Sequence, residues 1–216
     1  MEGAELRLVL ADDHPVVLMG LRATLERESS AWRVVGEAER GEQLMELLST
    51  CDCDVLVTDF AMPYAGPRGE RTGLDLLRDI RARHPGLPVV VQTMIENPAL
   101  LRAMLDTGIL GLLDKGSALG ELANAVHAVR SRRRYLSCRL RERLEETSRL
   151  PGARLSPKEQ EVVRLFAQGL SVTEIAERLH RSVKTISRQK IDAMGKLGVS
   201  SPAQLYDCAR EIGLIP

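Results

Sequence analysis

Four short apolar runs in the first 115 positions each stop abruptly at a polar side chain. Leu6–Ala11 stops at Asp12-Asp13, and the run over 54–58 stops at Asp59. The run over 87–92 stops at Thr93, and Gly111-Leu-Leu113 stops at Asp114-Lys115. Runs this short and this rich in Val and Leu read as buried parallel strands. A further strand is expected over 32–38. Between the runs, apolar residues recur at helical spacing, as in Val16, Leu18, Leu21 and Leu25, with further helices over 41–48, 73–83, 97–106 and 118–130. Pro15 suits a first helical turn, Gly108 a helix end and Ser117 a helix start. Five strands alternating with five helices give an α/β, doubly wound domain with a parallel five-stranded sheet.

In such a sheet the working groups collect just beyond the carboxyl ends of the strands. Any one acid at a strand end reads first as a turn or helix cap. Asp12, Asp13, Asp59, Thr93 and Lys115 together, from four strand ends, read as a site. Three carboxylates in one crevice repel one another and suit a hard divalent cation such as Mg²⁺. Beside such a cation one carboxylate can attack a phosphoryl group. A lysine can neutralise the phosphate oxygens, and a hydroxyl can donate to them.

The two halves of the chain differ in charge. Residues 1–130 carry 13 Lys and Arg against 20 Asp and Glu, and residues 131–216 carry 17 against 10, so a balance of −7 is followed by one of +7. An acidic half joined to a basic half predicts two domains, the second a candidate for nucleic acid. No apolar run approaches the ~20 residues of a membrane span, and Met1 leads straight into a strand pattern with no signal peptide. The four cysteines (Cys51, Cys53, Cys138, Cys208) and four scattered histidines match no zinc spacing. Reduced, mostly buried thiols in a cytoplasmic protein are expected.

Residues 131–153 read as a basic linker holding one short helix over 139–147. Beyond it, Ser156-Pro157 with Glu159 is a strong helix start. Ser171, Ser182 and Ser201 cap three more helices, over 172–179, 183–197 and 202–212. The middle pair, joined by a brief turn, is a helix-turn-helix. On the third helix Val183, Ile186, Ala193, Met194 and Leu197 should face the core. Lys184, Ser187, Arg188 and Ile191 lie opposite, with Lys190 near the border as a phosphate contact. Lys, Arg and Ser reach base edges or phosphates, and Ile suits a thymine methyl.

The set Asp12-Asp13, Asp59, Thr93 and Lys115 resembles the receiver domain of two-component response regulators over roughly residues 5–130. The resemblance implies a flavodoxin-like receiver at 4–130 with Asp59 as phosphoacceptor. It implies Asp12, Asp13 and Asp59 around Mg²⁺, with Thr93 and Lys115 as the phosphate switch. The signature Leu155-Ser-Pro-Lys-Glu159, Thr173-Glu-Ile-Ala176, Lys184-Thr-Ile186 and Lys196-Leu-Gly-Val199 is similar to the LuxR-type, all-α four-helix DNA-binding domain of the NarL/FixJ regulators, here at 154–216. Thr185-Ile-Ser-Arg-Gln189 replaces the usual Thr-Val-Lys-x-His, so base preference does not carry over. Leu112 stands where the family has Tyr or Phe. Residues 64–72 form a long Gly-, Pro- and Arg-containing loop beside the acids. These three departures are similar to the Rcs capsule-regulator branch. The implied partners are double-stranded DNA, a sensor histidine kinase or phosphotransfer protein, a second copy of the chain, and an auxiliary regulator. A phosphatase with an aspartate nucleophile would need a second acid two residues on, where Ala61 stands, so a regulator and not an enzyme is expected. The alternative is an atypical receiver that acts through protein partners, independently of phosphorylation.

Overall fold

The computed structural model describes residues 5–66, 69–116, 119–148 and 155–215. The chain divides into two units, Met1–Ile95 with Met104–Arg141, and Glu96–Ala103 with Glu142–Pro216. In the first, strands β1 (Leu6–Ala11), β2 (Trp32–Ala38) and β3 (Val55–Asp59) are joined by helices α1 (Pro15–Glu28) and α2 (Gly41–Thr50). After a two-stranded ribbon, β4 (Tyr64–Gly66) and β5 (Gly69–Arg71), come α3 (Gly73–Arg83), β6 (Val89–Thr93), α4 (Pro98–Asp106), whose residues through Ala103 cluster with the second unit, β7 (Gly111–Asp114), α5 (Leu119–Arg130) and β8 (Tyr135–Leu136). The main sheet runs β2-β1-β3-β6-β7-β8, and every pair in it is parallel. Each residue of β3, β6 and β7 is buried, as strands covered on both faces require. Leu8, Leu10, Val55, Val57, Val90 and Leu113 pack beneath Leu18, Leu21, Leu25, Leu122, Val126 and Val129 from α1 and α5.

The sheet has six strands, and five were expected from the sequence. Tyr135 and Leu136, inside the stretch read as linker, pair with Gly111 and Leu112. A two-residue strand is too short to show periodicity, and the arginines before it mask it. Ser137 ties it in: its amide donates to the Leu112 carbonyl at 3.1 Å, and its Oγ accepts from the Asp114 amide at 3.2 Å. The loop read at 64–72 is the β4–β5 ribbon, although its tip, 67–68, lies outside the described residues, as does the cap expected at Ser117. Tyr64 anchors the ribbon. Its ring is buried beside Gly41, where a Cβ would come within 2.4 Å of it, and its hydroxyl donates to Asp79 at 2.5 Å.

The second unit contains α6 (Cys138–Ser148) in part, then α7 (Pro157–Ala167), α8 (Val172–Arg178), α9 (Val183–Leu197) and α10 (Pro202–Glu211). Ser156, Ser171 and Ser201 each close a capping box, with Glu159, Glu174 and Gln204, and Ser182 caps α9 through the Thr185 amide. Val162, Leu165, Ile175, Ala176 and Ile186 form one core, and Val163, Ala193, Leu197, Leu205 and Ala209 form a second. Val183, expected inside, is the first residue of α9, a turn before its buried face begins at Ile186, and is 48% exposed. None of the four cysteines is in a disulfide, but only Cys208 is buried and Cys138 is exposed. Among the described residues no helix is long and apolar enough to cross a membrane.

Buried Glu159 does more than cap α7. Lys196 of α9 donates to both its oxygens at 2.8 Å. Burial pushes the Glu159 carboxyl up, but Lys196 and the Ser156 cap outweigh it and hold the group below the usual glutamate range. Its contribution is therefore present above about pH 4.3, the ordinary glutamate value, and is lost as pH falls through the lower folded value. Glu159→Gln should destabilise the helical unit by about 1–2 kcal/mol at pH 7. In urea melts followed by circular dichroism, the deficit should shrink below about pH 4; an equal deficit at pH 7 and pH 3 would contradict this role.

Candidate functional site

The strand ends bring the predicted acids together. β1 ends at Ala11, so Asp12 and Asp13 emerge at the sheet's carboxyl edge. Asp59 and Thr93 are the last residues of β3 and β6, and Lys115 follows β7. The Lys115 ammonium lies 2.7 Å from Asp12 Oδ2 and 3.0 Å from Asp59 Oδ2. Asp12 is wholly buried and Asp59 only 4% exposed, so neither carboxylate is solvated in the ordinary way. Burial pulls the Lys115 ammonium down, but its hydrogen bonds to Asp12 and Asp59 prevail and hold it above the ordinary lysine value. It is cationic at neutral pH.

The second oxygen of Asp12 accepts from the His14 amide at 3.0 Å. Asp13 differs. Its Oδ1 is buried and makes no hydrogen bond; His14 Nδ1 approaches to 2.7 Å but off the line a hydrogen bond needs. A buried carboxylate oxygen without a donor is costly, and a cation would satisfy it. Asp12, Asp13 and His14 place ligand atoms within 4.8 Å of one another. From the sequence His14 is one of four scattered histidines and no metal ligand; its place directly after two strand-end acids was the available signal.

Thr93 is 1% exposed, and its Oγ1 accepts from the Ile95 amide at 3.0 Å. The Lys115 amide donates to the Thr93 carbonyl at 2.9 Å, which couples the hydroxyl's strand to the lysine's turn. Leu112 is fully buried and alternates with Leu113, which faces the core under α1 and α5. Gly73 is needed behind the site: a Cβ there would sit 2.1 Å from the Phe60 carbonyl oxygen, so α3 could not start so close to Asp59.

In the helical unit, α9 has Ile186, Ala193 and Leu197 inside. Lys184, Arg188 and Ile191 are exposed, and Ser187 is partly so. Lys190 is partly buried, its ammonium 3.6 Å from the centre of the Phe166 ring, and burial lowers its affinity for a proton. It does not point outward with the others. The turn before α9 bends through His180 at φ 51°.

The model of the response regulator receiver domain matches residues 8–127, and that of the bacterial regulatory proteins of the luxR family matches 153–209. The transcriptional regulatory protein RcsB of Escherichia coli (strain K12) is 41% identical over 216 residues, covering 98% of this chain and 97% of that protein. The response regulator UvrY of the same organism is 30% identical, covering 97% and 95%. Among solved structures, two RcsB dimers bound to two parallel DNAs give a TM-score of 0.82 at 40% identity, covering 96% of this chain and 98% of that one. RcsB from Salmonella enterica serovar Typhimurium, bound to promoter rprA with phosphomimetic BeF₃⁻, gives 0.81 at 41%, covering 96% and 99%.

Asp13→Asn removes one of the crowded charges and gives the orphaned position a donor. In metal-free buffer at pH 8 it should raise stability by about 1 kcal/mol, or roughly 3 °C in melting temperature. A lower melting temperature would contradict the strained-pocket reading.

Proposed function

The chain belongs to the response regulators that join a receiver to a LuxR-type helix-turn-helix domain, and on that premise we propose that Asp59 accepts the phosphoryl group that controls it. The supporting observation is the Lys115 ammonium held between Asp12 and Asp59 at 2.7 and 3.0 Å. The Asp59 carboxylate attacks phosphorus of a phosphohistidine on a sensor kinase or phosphotransfer protein. An O–P bond forms, the P–N bond breaks, and the electron pair leaves with the imidazole. Lys115 then follows the new charge and neutralises phosphoryl oxygens. The Thr93 hydroxyl donates to one of them. Asp12, Asp13 and Asp59 suit Mg²⁺, and the Asp13 oxygen that accepts no hydrogen bond fits that assignment. Bound there, Mg²⁺ would offset the charge gathered on the phosphoryl oxygens.

The receiver is read as 4–130 with β8 appended, and the DNA-binding domain as 154–216. The protein is read as cytoplasmic. Lys184, Ser187, Arg188 and Ile191 on α9 are the proposed DNA contacts, and Lys190 joins them once it leaves Phe166. The relatives solved as dimers on DNA support a homodimer whose recognition helices lie about 34 Å apart, one turn of the duplex.

Incubated with acetyl phosphate and Mg²⁺, the wild-type chain should take up about one hydroxylamine-labile phosphate, and Asp59→Asn none. Stoichiometric labelling of that variant would place the phosphoacceptor elsewhere.

A further inference from the structure

The outward face of α9 carries an acid that the DNA reading leaves unexplained. Asp192 sits four residues after Arg188, and its Oδ2 is 3.8 Å from Arg188 Nε. Their side chains are 50% and 85% exposed. Between them in sequence lies Ile191, 67% exposed, although α9 buries Ile186 and Leu197 completely or nearly so. An arginine, an isoleucine and an aspartate thus share the side of the helix opposite its core.

A carboxylate there repels phosphates and lowers non-specific affinity for DNA. An exposed ion pair of this kind adds little stability. Its geometry has a different consequence. The ion pair is made on the Nε edge of the guanidinium, the side away from its two terminal nitrogens. Those nitrogens form the donor pair that matches guanine O6 and N7. Ile191 lies three residues from Arg188 and so on the same face. Three residues of helix rise about 4.5 Å, a little over the ~3.4 Å step between stacked bases, so the two side chains are spaced for bases one or two pairs apart. An aliphatic group in the major groove has one good partner, the thymine methyl.

We infer that Asp192 is a positioning residue for base reading: it orients Arg188 onto a guanine, and Ile191 reads a thymine one or two base pairs away. This rests on the DNA-binding reading of α9 and adds to it a residue that touches no base and a base preference for the site.

The test starts with selection from randomised duplexes by the full-length chain. The selected duplex and its single-base variants are then titrated at several salt concentrations against wild type, Arg188→Ala, Asp192→Ala, Asp192→Glu and Ile191→Ala. Wild type should prefer one guanine in each half-site by about tenfold or more. Arg188→Ala and Asp192→Ala should both flatten that preference, and Asp192→Glu should restore part of it. Asp192→Ala should bind random duplex as tightly as wild type or more tightly, which a structural role for Asp192 would not produce. Ile191→Ala should lose discrimination between thymine and uracil at the neighbouring position. Full guanine preference in Asp192→Ala, or an equal loss on every sequence, overturns the inference. If wild type shows no salt-dependent binding to any duplex, the DNA-binding reading fails first and the inference falls with it.

Discussion

The ion pair that the receiver unit depends on is the one Lys115 makes with Asp12 and Asp59. A parallel sheet converges its strand ends, and here it converges carboxylates, two of them almost wholly buried. Unpaired, they would repel each other at low dielectric and the edge would splay or take up protons. One ammonium at 2.7 and 3.0 Å makes the arrangement tolerable. It also makes it responsive. The lysine is held by ionic hydrogen bonds to two carboxylates, so a new and larger negative charge on Asp59 would redirect it. The Thr93 carbonyl is tied to the lysine's own amide, so the neighbouring hydroxyl stands on the segment the lysine occupies. The pocket is a balanced charge cluster whose balance phosphorylation alters.

How the alteration travels is less conventional than its origin. Where the family carries Tyr or Phe, this chain has Leu112, fully buried on β7. An aliphatic side chain sealed in the core has no exposed aromatic rotamer to swing inward. On the proposed reading, transmission would rest on Thr93, Lys115 and the turns they head. β7 is also held from its other edge, where Ser137 bonds to both Leu112 and Asp114. Asp114 is buried, with Arg139 at 3.4 Å, so the segment leading toward the helical unit begins as part of the sheet that carries the lysine.

Most of this was legible in the sequence because it is built from local rules. Strand ends were marked by polar stops, and helix starts by Ser, joined at Ser156 by Glu159 three residues on; both signals act within a few residues. Five site residues of the receiver fell together because strand order hardly matters when every parallel strand ends on the same edge. What escaped depends on contacts distant in sequence. β8 is two residues long, and only its pairing with β7 makes it a strand. The β4–β5 ribbon looked like open loop because its anchor, Tyr64 on Asp79, spans 15 residues. Lys190 was placed by helical angle near the border of the reading face, but Phe166 of another helix draws its ammonium away. Val183 carried the right chemistry for a core and the wrong position, one turn too early.

The central claim is that the charge balance at Asp59 governs DNA binding by the other unit. It is tested most directly by measuring the affinity of the full chain for a selected duplex at fixed salt, with and without acetyl phosphate and Mg²⁺, beside the Asp59→Asn chain. Affinity should rise by about tenfold or more on phosphodonor addition, the range of a typical coupling free energy, and Asp59→Asn should not respond. Equal affinity with and without phosphodonor, in a wild-type chain shown to be labelled, would contradict it and leave a receiver that works by docking partners alone.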